Sequence, residues 1–201
     1  MSDKWSIKRA DDISALFNFR CGVKAMDDFI HDKEKGLAKY IELKLSKLWL
    51  VYEGEEVVAF FALSKDALVL NSQDRNIIEK DKNKSSALPA KEENVFWEQE
   101  KYPAIEIDYL AVREDKRTEN NCNLGSAIIE SIAQIAANDN LTSTLFLTVE
   151  ALHTDYYSTI GFYKKCNFAY SEKDMDNYEY NKRYGTTFTT RRMYKIIIPN
   201  N

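Results

Sequence analysis

Residues 120–126 (NNCNLGS) stand where a loop can bind phosphate at the start of a helix. Upstream, the apolar-rich run AIEIDYLAV at 104–112 predicts a strand. Downstream, a helix should begin near Asn123, an asparagine suited to cap it, because apolar residues recur at helical spacing at 124, 128, 132 and 135. The free N–H groups and the dipole of a helix start favour an anion. The pattern predicts a phosphate site, although such loops usually contain several glycines and this one contains Gly125 alone.

Metal and disulfide chemistry are not indicated. The two histidines, His31 and His153, have no acidic or cysteine cluster beside them at metal-ligand spacing, so metal catalysis is not expected. The three cysteines are widely spaced and odd in number, which argues against a disulfide framework and against a zinc site. A reducing cytoplasmic location is therefore expected.

The composition is that of a soluble globular protein. The 201 residues are 44% hydrophobic and 30% charged, which suits one domain over residues 1–201. A net charge of -4 supplies no general attraction to nucleic acid or to an anionic membrane. The amino terminus lacks the apolar region of a secretory signal, and the longest apolar run, at 57–63, is too short to span a bilayer. We expect neither export nor insertion.

Periodicity predicts an alternating α/β order. Two short helices lead, and a hairpin then turns at Glu53-Gly54-Glu55. A long polar surface excursion with helical turns is expected at about 71–101. The remaining elements are a strand at 104–112, a helix from about Leu124, a strand at 145–152, a helix reaching toward Lys165, and two final strands in FAYSE and RRMYKIII. The strand-helix-strand unit implies a right-handed crossover.

These segments together resemble the Gcn5-related N-acetyltransferase superfamily. The resemblance runs over most of the chain, through FRCGVKAMDDFI, LWLVYEGEEVVAFFALS, IEIDYLAV, NLGSAIIESIA, LFLTVEAL, FYKKCNF and MYKIII. The first segment is similar to the subgroup that includes the toxin acetyltransferases of toxin-antitoxin modules. The resemblance implies a mixed central sheet, flanked by helices, whose fourth and fifth strands splay apart to admit acetyl-CoA.

The resemblance also implies the donor site. Pantetheine would pair with the backbone of Leu110, Ala111 and Val112, as an added strand does, and the pyrophosphate would meet the loop that begins near Lys116. In the family that loop is a glutamine or arginine, two residues, glycine, one residue and glycine. Aligned on Gly125, the first glycine becomes Asn123 and the glutamine or arginine becomes Asn120. The implied loop contacts are Asn120, Asn121, Cys122, Asn123, Leu124, Gly125 and Ser126.

Asparagine at the first glycine position has two opposed effects. It tolerates a left-handed backbone better than most residues, so the turn can still form. Its side chain would nevertheless crowd the phosphates, which bears on the affinity for CoA. Cys122 has no clear histidine partner, so we expect it to line the loop rather than to carry an acetyl group.

FYKKCNF at 162–168 resembles the family's FYxxxGF, with Asn167 in place of the glycine. The resemblance implies that Tyr163 is the acid that protonates the departing CoA thiolate. The alternative is that Tyr163 is a packed core aromatic.

A general base for the ammonium substrate is implied on the fourth strand. Glu106 and Asp108 are two residues apart and so share one face of that strand. We assign the role first to Glu106, while strand carboxylates are also commonly solvated or ion-paired. His153 is a further candidate, although a lone histidine is more often a surface residue.

The sequence leaves the acceptor open. The leading hypothesis is direct transfer of acetyl to a primary amine of a small molecule, a peptide or protein, or an aminoacyl-tRNA. The tRNA branch is suggested by the first segment and by the basic pairs at 182–183 and 191–192, but the acidic net charge opposes it. By default, both basic pairs are expected to lie on a solvated face. A homodimer and an antitoxin partner stay open. The alternative is a non-catalytic module that binds CoA weakly or binds a protein.

Overall fold

The computed structural model describes residues 5–80, 88, 94–117, 123–138, 143–170, 172–183 and 189–197. Within these residues the strands are β1 (Ser6–Ala10), β2 (Lys47–Glu53), β3 (Glu56–Leu68), β4 (Tyr102–Val112), β5 (Phe146–Leu152), β6 (Ala169–Tyr170) and β7 (Thr190–Ile196). The helices are α1 (Lys24–His31), α2 (Leu37–Glu42), α3 (Ser72–Lys80), α4 (Asn94–Trp97), α5 (Glu114–Arg117), α6 (Leu124–Ala137), α7 (Ile160–Lys165) and α8 (Glu172–Arg183). A short 3-10 turn spans Ser14–Leu16.

The strands form one mixed sheet in the order β1-β2-β3-β4-β5-β7-β6. Four pairs, β1–β2, β2–β3, β5–β7 and β6–β7, are antiparallel, and β4 and β5 are parallel. The parallel register joins Ala104–Glu106 to Phe146–Thr148. β4 continues past this register through residues 107–112, and β5 continues through 149–152. The predicted α/β class, with a mixed sheet and helices, is therefore confirmed.

The predicted hairpin is present at β2 and β3. Glu53 faces Glu56, so Gly54 and Glu55 form a two-residue turn. Gly54 has a φ of 62°, a left-handed conformation in which glycine is favoured.

The chain forms two compact units, and the first consists of Met1–Ser64 with Ile107–Ile132. In its described residues α1 is amphipathic and buries Ile30, while Met26 and Phe29 pack beside it. This matches the predicted second helix of the chain. The buried core of the unit contains Leu16, Phe19, Cys21, Ile30, Leu37, Leu48, Leu50, Phe60, Ala62 and Ala111.

The second unit consists of Lys65–Glu106 with Ala133–Asn201. The polar excursion expected at 71–101 contains α3 and α4, and its residues Ile78 and Leu88 are buried. Asn71 and Asp74 cap α3 reciprocally, since each side chain accepts a hydrogen bond from the other's backbone N–H. The buried core contains Leu68, Leu70, Ile78, Leu88, Tyr102, Ala104, Phe146, Tyr194 and Ile196.

Among the described helices, none combines the length and the apolar character that a bilayer crossing requires.

Candidate active site

The carboxyl-terminal half of β4 carries the residues predicted to bind pantetheine. Ala111 is buried in the core of the first unit, and Leu110 and Val112 are half-buried. The side chain of Ala111 therefore serves packing, and any contact of this position with a ligand would use the backbone. β4 continues past its register with β5 to Val112, so residues 110–112 lie beyond the described β4–β5 pairing.

The helix predicted near Asn123 begins at Leu124. The carbonyl of Asn123 accepts a hydrogen bond from Ala127 N–H at 2.8 Å, as expected of a capping residue. Leu124 is buried, while Gly125 and Ser126 in the first turn are half-buried and Asn123 is exposed. The predicted contacts Asn120, Asn121 and Cys122 lie outside the described residues. One predicted apolar position, Ile135, is 39% exposed rather than buried.

The turn between β4 and this loop is fixed by ion pairs within the first unit. Lys116 pairs with Glu53 at 2.7 Å, and both side chains are largely buried. Arg113 pairs with Glu56 at 3.0 Å and with Asp115 at 2.7 Å. Hydrogen bonds from Arg113 lower the pKa of Asp115. Lys116, where the predicted pyrophosphate loop begins, thus already has a carboxylate partner.

Tyr163 lies in α7, in the second unit, and is 6% exposed. Its ring packs edge-to-face against Phe162 at 5.0 Å and Phe168 at 5.2 Å between ring centroids. Burial raises the pKa of the Tyr163 phenol well above its ordinary value of 10.0, and the nearby Cys166 and Tyr157 add to the effect. The phenol therefore stays protonated at neutral pH, as a proton donor must.

Asn167 ends this helix in the left-handed conformation, with a φ of 66°. Asn167 N–H donates to the carbonyl of Lys164 at 3.1 Å, and Phe168 N–H donates to the carbonyl of Tyr163 at 3.0 Å. These two bonds form a Schellman motif. The asparagine in the family's glycine position therefore retains the turn, and it brings Phe168 onto the ring of Tyr163.

Glu106 belongs to a charged cluster in the second unit that the sequence does not reveal. It is half-buried and faces Thr148 in the β4–β5 register. The Thr148 hydroxyl donates to Asp66, which pairs with Arg192. Glu150 faces Arg192 across β5 and β7 and pairs with it at 3.2 Å.

Arg192 is the cation at the centre of this cluster. Burial lowers its pKa, but Asp66, Glu150 and Glu106 more than compensate, so the pKa is raised. Two carboxylates therefore pair with this guanidinium, and the charge of Glu106 acts on it as well.

The other base candidates have different surroundings. Asp108, in the first unit, accepts hydrogen bonds from the hydroxyls of Ser46 at 2.6 Å and Ser64 at 2.8 Å, one on each carboxylate oxygen. His153, in the second unit, contacts the Ser158 hydroxyl through Nδ1 at 3.1 Å. The hydroxyl pair gives Asp108 a structural role within the first unit.

The basic pair at 191–192 serves internal contacts. Arg191 is buried, lies 3.7 Å over the ring of Tyr178 and 4.6 Å over that of Tyr170, and pairs with Asp174 at 3.2 Å. Arg192 pairs with Asp66 and Glu150. In the other basic pair, Lys182 and Arg183 are exposed on α8. The expectation that both pairs are solvated is wrong for 191–192, and these two arginines are not a free basic surface.

Many solved structures are similar to the chain, and three of them illustrate the likeness over nearly its whole length. The crystal structure of AtaTR bound with acetyl-CoA is 15% identical with a TM-score of 0.62, over 97% of this chain and 95% of that one. A tyrosine-to-phenylalanine variant of KacT is 14% identical with a TM-score of 0.61, over 97% and 96%. AtaT complexed with acetyl-methionyl-tRNA is 15% identical with a TM-score of 0.60, over 96% and 94%. The chain has the Gcn5-related N-acetyltransferase fold. No protein-family profile and no curated protein sequence matches it.

Proposed function

We propose that this protein is an N-acetyltransferase that moves acetyl from acetyl-CoA directly to a primary amine. The observation that carries the proposal is the end of the β4–β5 register at Glu106 and Thr148, beyond which β4 runs on to Val112. The fold adds support, because the AtaTR structure that it resembles is bound with acetyl-CoA.

The described residues fit an acetyl-CoA donor, which would supply a thioester carbonyl to the acceptor. The backbone of Leu110, Ala111 and Val112 would pair with the pantetheine and polarise that carbonyl. The fourteen-residue helix α6 presents its first turn, with Gly125 and Ser126, to the pyrophosphate. Neither contact needs an apolar core side chain to move.

Transfer requires two proton movements that the chain can perform. Glu106 accepts a proton from the substrate ammonium, through water, so that the amine nitrogen can attack the carbonyl carbon. The carbon–sulfur bond then breaks, and the phenol of Tyr163 gives its proton to the CoA sulfur. The acylated nitrogen loses its second proton to solvent, and solvent returns a proton to the Tyr163 phenolate. The raised pKa of Tyr163 keeps that proton in place until the thiolate forms.

The carboxylates near Glu106 favour a cationic acceptor. Asp66 and Glu150 pair with Arg192, and the charge of Glu106 also acts on this guanidinium. Aminoacyl-tRNA belongs among the acceptors to be tested because AtaT has been solved with acetyl-methionyl-tRNA. AtaT has also been solved with the antitoxin AtaR, so a gene beside this one that encodes an antitoxin would support the toxin branch. The free thiols of Cys21 and Cys166 agree with a reducing cytoplasm.

The second candidate function is a non-catalytic module that retains the fold. It rests on two asparagines in glycine positions, Asn123 and Asn167. The left-handed φ of Asn167 weakens this argument, since that substitution preserves the turn. The open question is then confined to Asn123.

Release of free CoA thiol tests the proposal directly. The protein is incubated with acetyl-CoA and panels of small amines, peptides and aminoacyl-tRNAs, and acetylated product is confirmed by mass. We expect turnover with at least one class of amine. If acetyl-CoA at saturating concentration gives neither heat in calorimetry nor a higher melting temperature, the proposal is wrong, because a ligand of the native state must stabilise it. Binding without turnover on any panel supports the non-catalytic module.

A further inference from the structure

Glu106 belongs to a row of polar residues that crosses four adjacent strands of the sheet. On each strand the polar residue stands two positions from a buried core residue, so the row shares the face of the sheet that carries the core of the second unit. The pairs of core and polar residues are Leu68 and Asp66 on β3, Ala104 and Glu106 on β4, Phe146 and Thr148 on β5, and Tyr194 and Arg192 on β7. In the strand order Glu106 therefore stands between Asp66 and Thr148, at the border of an apolar core.

Hydrogen bonds join the members of this polar row from strand to strand. Thr148 is fully buried, and its hydroxyl donates to Asp66 Oδ2. Arg192 donates to the same oxygen through Nη2, and its Nη1 donates to Glu150 at 3.2 Å. Glu150 also accepts from the hydroxyl of Thr190 at 3.1 Å. The guanidinium of Arg192 is thus fixed by contacts to both β3 and β5.

The fixed charge of Arg192 acts on Glu106. The Glu106 carboxylate interacts electrostatically with this guanidinium, and the apolar core beside the row screens such an interaction less than water does. Asp66 and Glu150 carry the same sign as Glu106 and oppose its ionisation, whereas Arg192 favours it. Along β4 itself the neighbouring carboxylate, Asp108, accepts from two serine hydroxyls. The charge state of Glu106 therefore depends on Arg192.

We propose that Arg192 is a positioning residue for the base Glu106, because it holds a fixed positive charge on the face of the sheet where that carboxylate must take up a proton. The inference rests on the proposed function, which assigns the role of base to Glu106. Without the guanidinium, Asp66 and Glu150 would keep Glu106 protonated to a higher pH, and a smaller fraction of the protein would carry an ionised base.

Titration of Glu106 in the absence of any substrate tests the inference. The glutamate side-chain carboxyl carbons are labelled with carbon-13, the Glu106 signal is assigned by its loss in Glu106→Gln, and its chemical shift is followed against pH. Arg192→Met removes the charge and Arg192→Lys retains it. Lys182→Met is the matched control, since it removes an exposed cation from α8.

We expect the midpoint of the Glu106 titration to rise by about one pH unit or more in Arg192→Met. Arg192→Lys should restore most of the difference, and Lys182→Met should match the wild type. With an amine that is acetylated, the acidic limb of kcat/KM against pH should move in Arg192→Met by as much as the midpoint does.

Glu150→Gln should move the same midpoint in the opposite direction. This change removes a carboxylate that pairs with Arg192 and leaves the guanidinium in place, so Glu106 should ionise at a lower pH. A residue that served packing alone would not give opposite signs in the two variants. Because Glu150 is 42% exposed, this variant also keeps the inference testable if Arg192→Met does not fold.

The outcomes separate the two proposals. A Glu106 midpoint that stays the same in Arg192→Met and in Glu150→Gln overturns the role of Arg192, whether or not the protein acetylates an amine. An equal rise in Lys182→Met overturns it as well. If the midpoint moves but the acidic limb of kcat/KM does not, Glu106 is not the base and the positioning role is wrong. A midpoint that moves in a protein that binds no acetyl-CoA shows the charge coupling and overturns the proposed function.

Discussion

Asn167 is the residue on which the end of the Tyr163 helix depends. A non-glycine residue in the left-handed region costs roughly 1–2 kcal/mol, and asparagine bears less of this cost than alanine. We therefore expect Asn167→Ala to lower the free energy of unfolding by about 1 kcal/mol and Asn167→Gly to leave it equal or slightly higher. Urea denaturation of the three proteins measures this. An alanine variant as stable as the glycine variant would contradict a left-handed Asn167.

Tyr163→Phe removes one buried hydroxyl and little volume. If the phenol is the acid, turnover should fall by about 10² to 10⁴ while CoA binding and the melting temperature change little. Tyr156→Phe is the control, since Tyr156 is 98% exposed. Because the pKa of Tyr163 is raised, wild-type turnover should not decline through loss of this proton as the pH rises to 10. Unchanged turnover, where chemistry limits the rate, would make Tyr163 a packing residue.

At the scale of elements, Arg192 joins three strands. It is on β7, its partner Glu150 is on β5, and its partner Asp66 is on β3. Arg192→Met leaves these carboxylates without their cation, so we expect a loss of about 1.5–3 kcal/mol in the free energy of unfolding at pH 7. Lys182→Met, on the exposed face of α8, is the control and should change the free energy of unfolding by less than about 0.5 kcal/mol. Equal losses of stability in Arg192→Met and Lys182→Met would contradict a structural role for the cluster.

At the start of α6, the direction in which Asn123→Gly changes the affinity for CoA shows what the Asn123 side chain does. Asn123→Gly removes a cap and frees the unfolded chain, at a cost of a few tenths to about 1 kcal/mol of stability. If the asparagine crowds the pyrophosphate, the same change should tighten CoA binding, which calorimetry measures. A dissociation constant that rises tenfold or more, a loss of about 1.4 kcal/mol, would instead make the amide of Asn123 a phosphate ligand.

Elements with strong apolar periodicity could be predicted from the sequence, whereas others, such as β1 and α8, could not. The hairpin and α6 follow from local patterns and a glycine turn. β1 has a mostly exposed pattern, so its identity depends on pairing with β2, which lies distant in the chain. α8 has few apolar residues, and its packing comes from contacts of Arg191 with Asp174 and Tyr178.

Some residues of the candidate site could likewise be predicted from the sequence, and others could not. Tyr163 and the α6 start stand in local motifs, so the resemblance could locate them. The cluster of Asp66, Thr148 and Arg192 joins residues up to 126 positions apart, and only the strand order brings them together. Spacing in one sequence carries no information on which distant strands become neighbours.

For the whole molecule, fold and function are determined by different residues. A chain 15% identical to AtaT reproduces its fold over 97% of its length, because the core needs apolar residues of suitable size rather than particular ones. Under the proposed function, the acceptor would depend on a few side chains at the site, so the fold leaves it undetermined.

Both compact units contain groups whose burial opposes ionisation, so we expect the protein to lose stability in alkali. In the first unit, burial raises the pKa of Cys21 from 9.0 to about 11, and in the second burial raises that of Tyr163. Below pH 9 both the folded and the unfolded chain keep the Cys21 proton, and its contribution is constant. Between pH 9 and 11 the unfolded chain releases the proton and the folded chain retains it, so the free energy of unfolding falls as the pH rises.

Cys21→Ala isolates this contribution. The variant should be less stable at pH 8, because it leaves a small cavity in the apolar core of the first unit. From pH 9 to 11, however, its free energy of unfolding should fall less steeply than that of the wild type, by up to about 1.4 kcal/mol per pH unit. Urea denaturation under reducing conditions measures both slopes. Parallel slopes for the wild type and the variant would show that the thiol ionises equally in the folded and unfolded chains and is not held in the apolar core. The fall in the free energy of unfolding that the variant still shows reports buried tyrosines such as Tyr163.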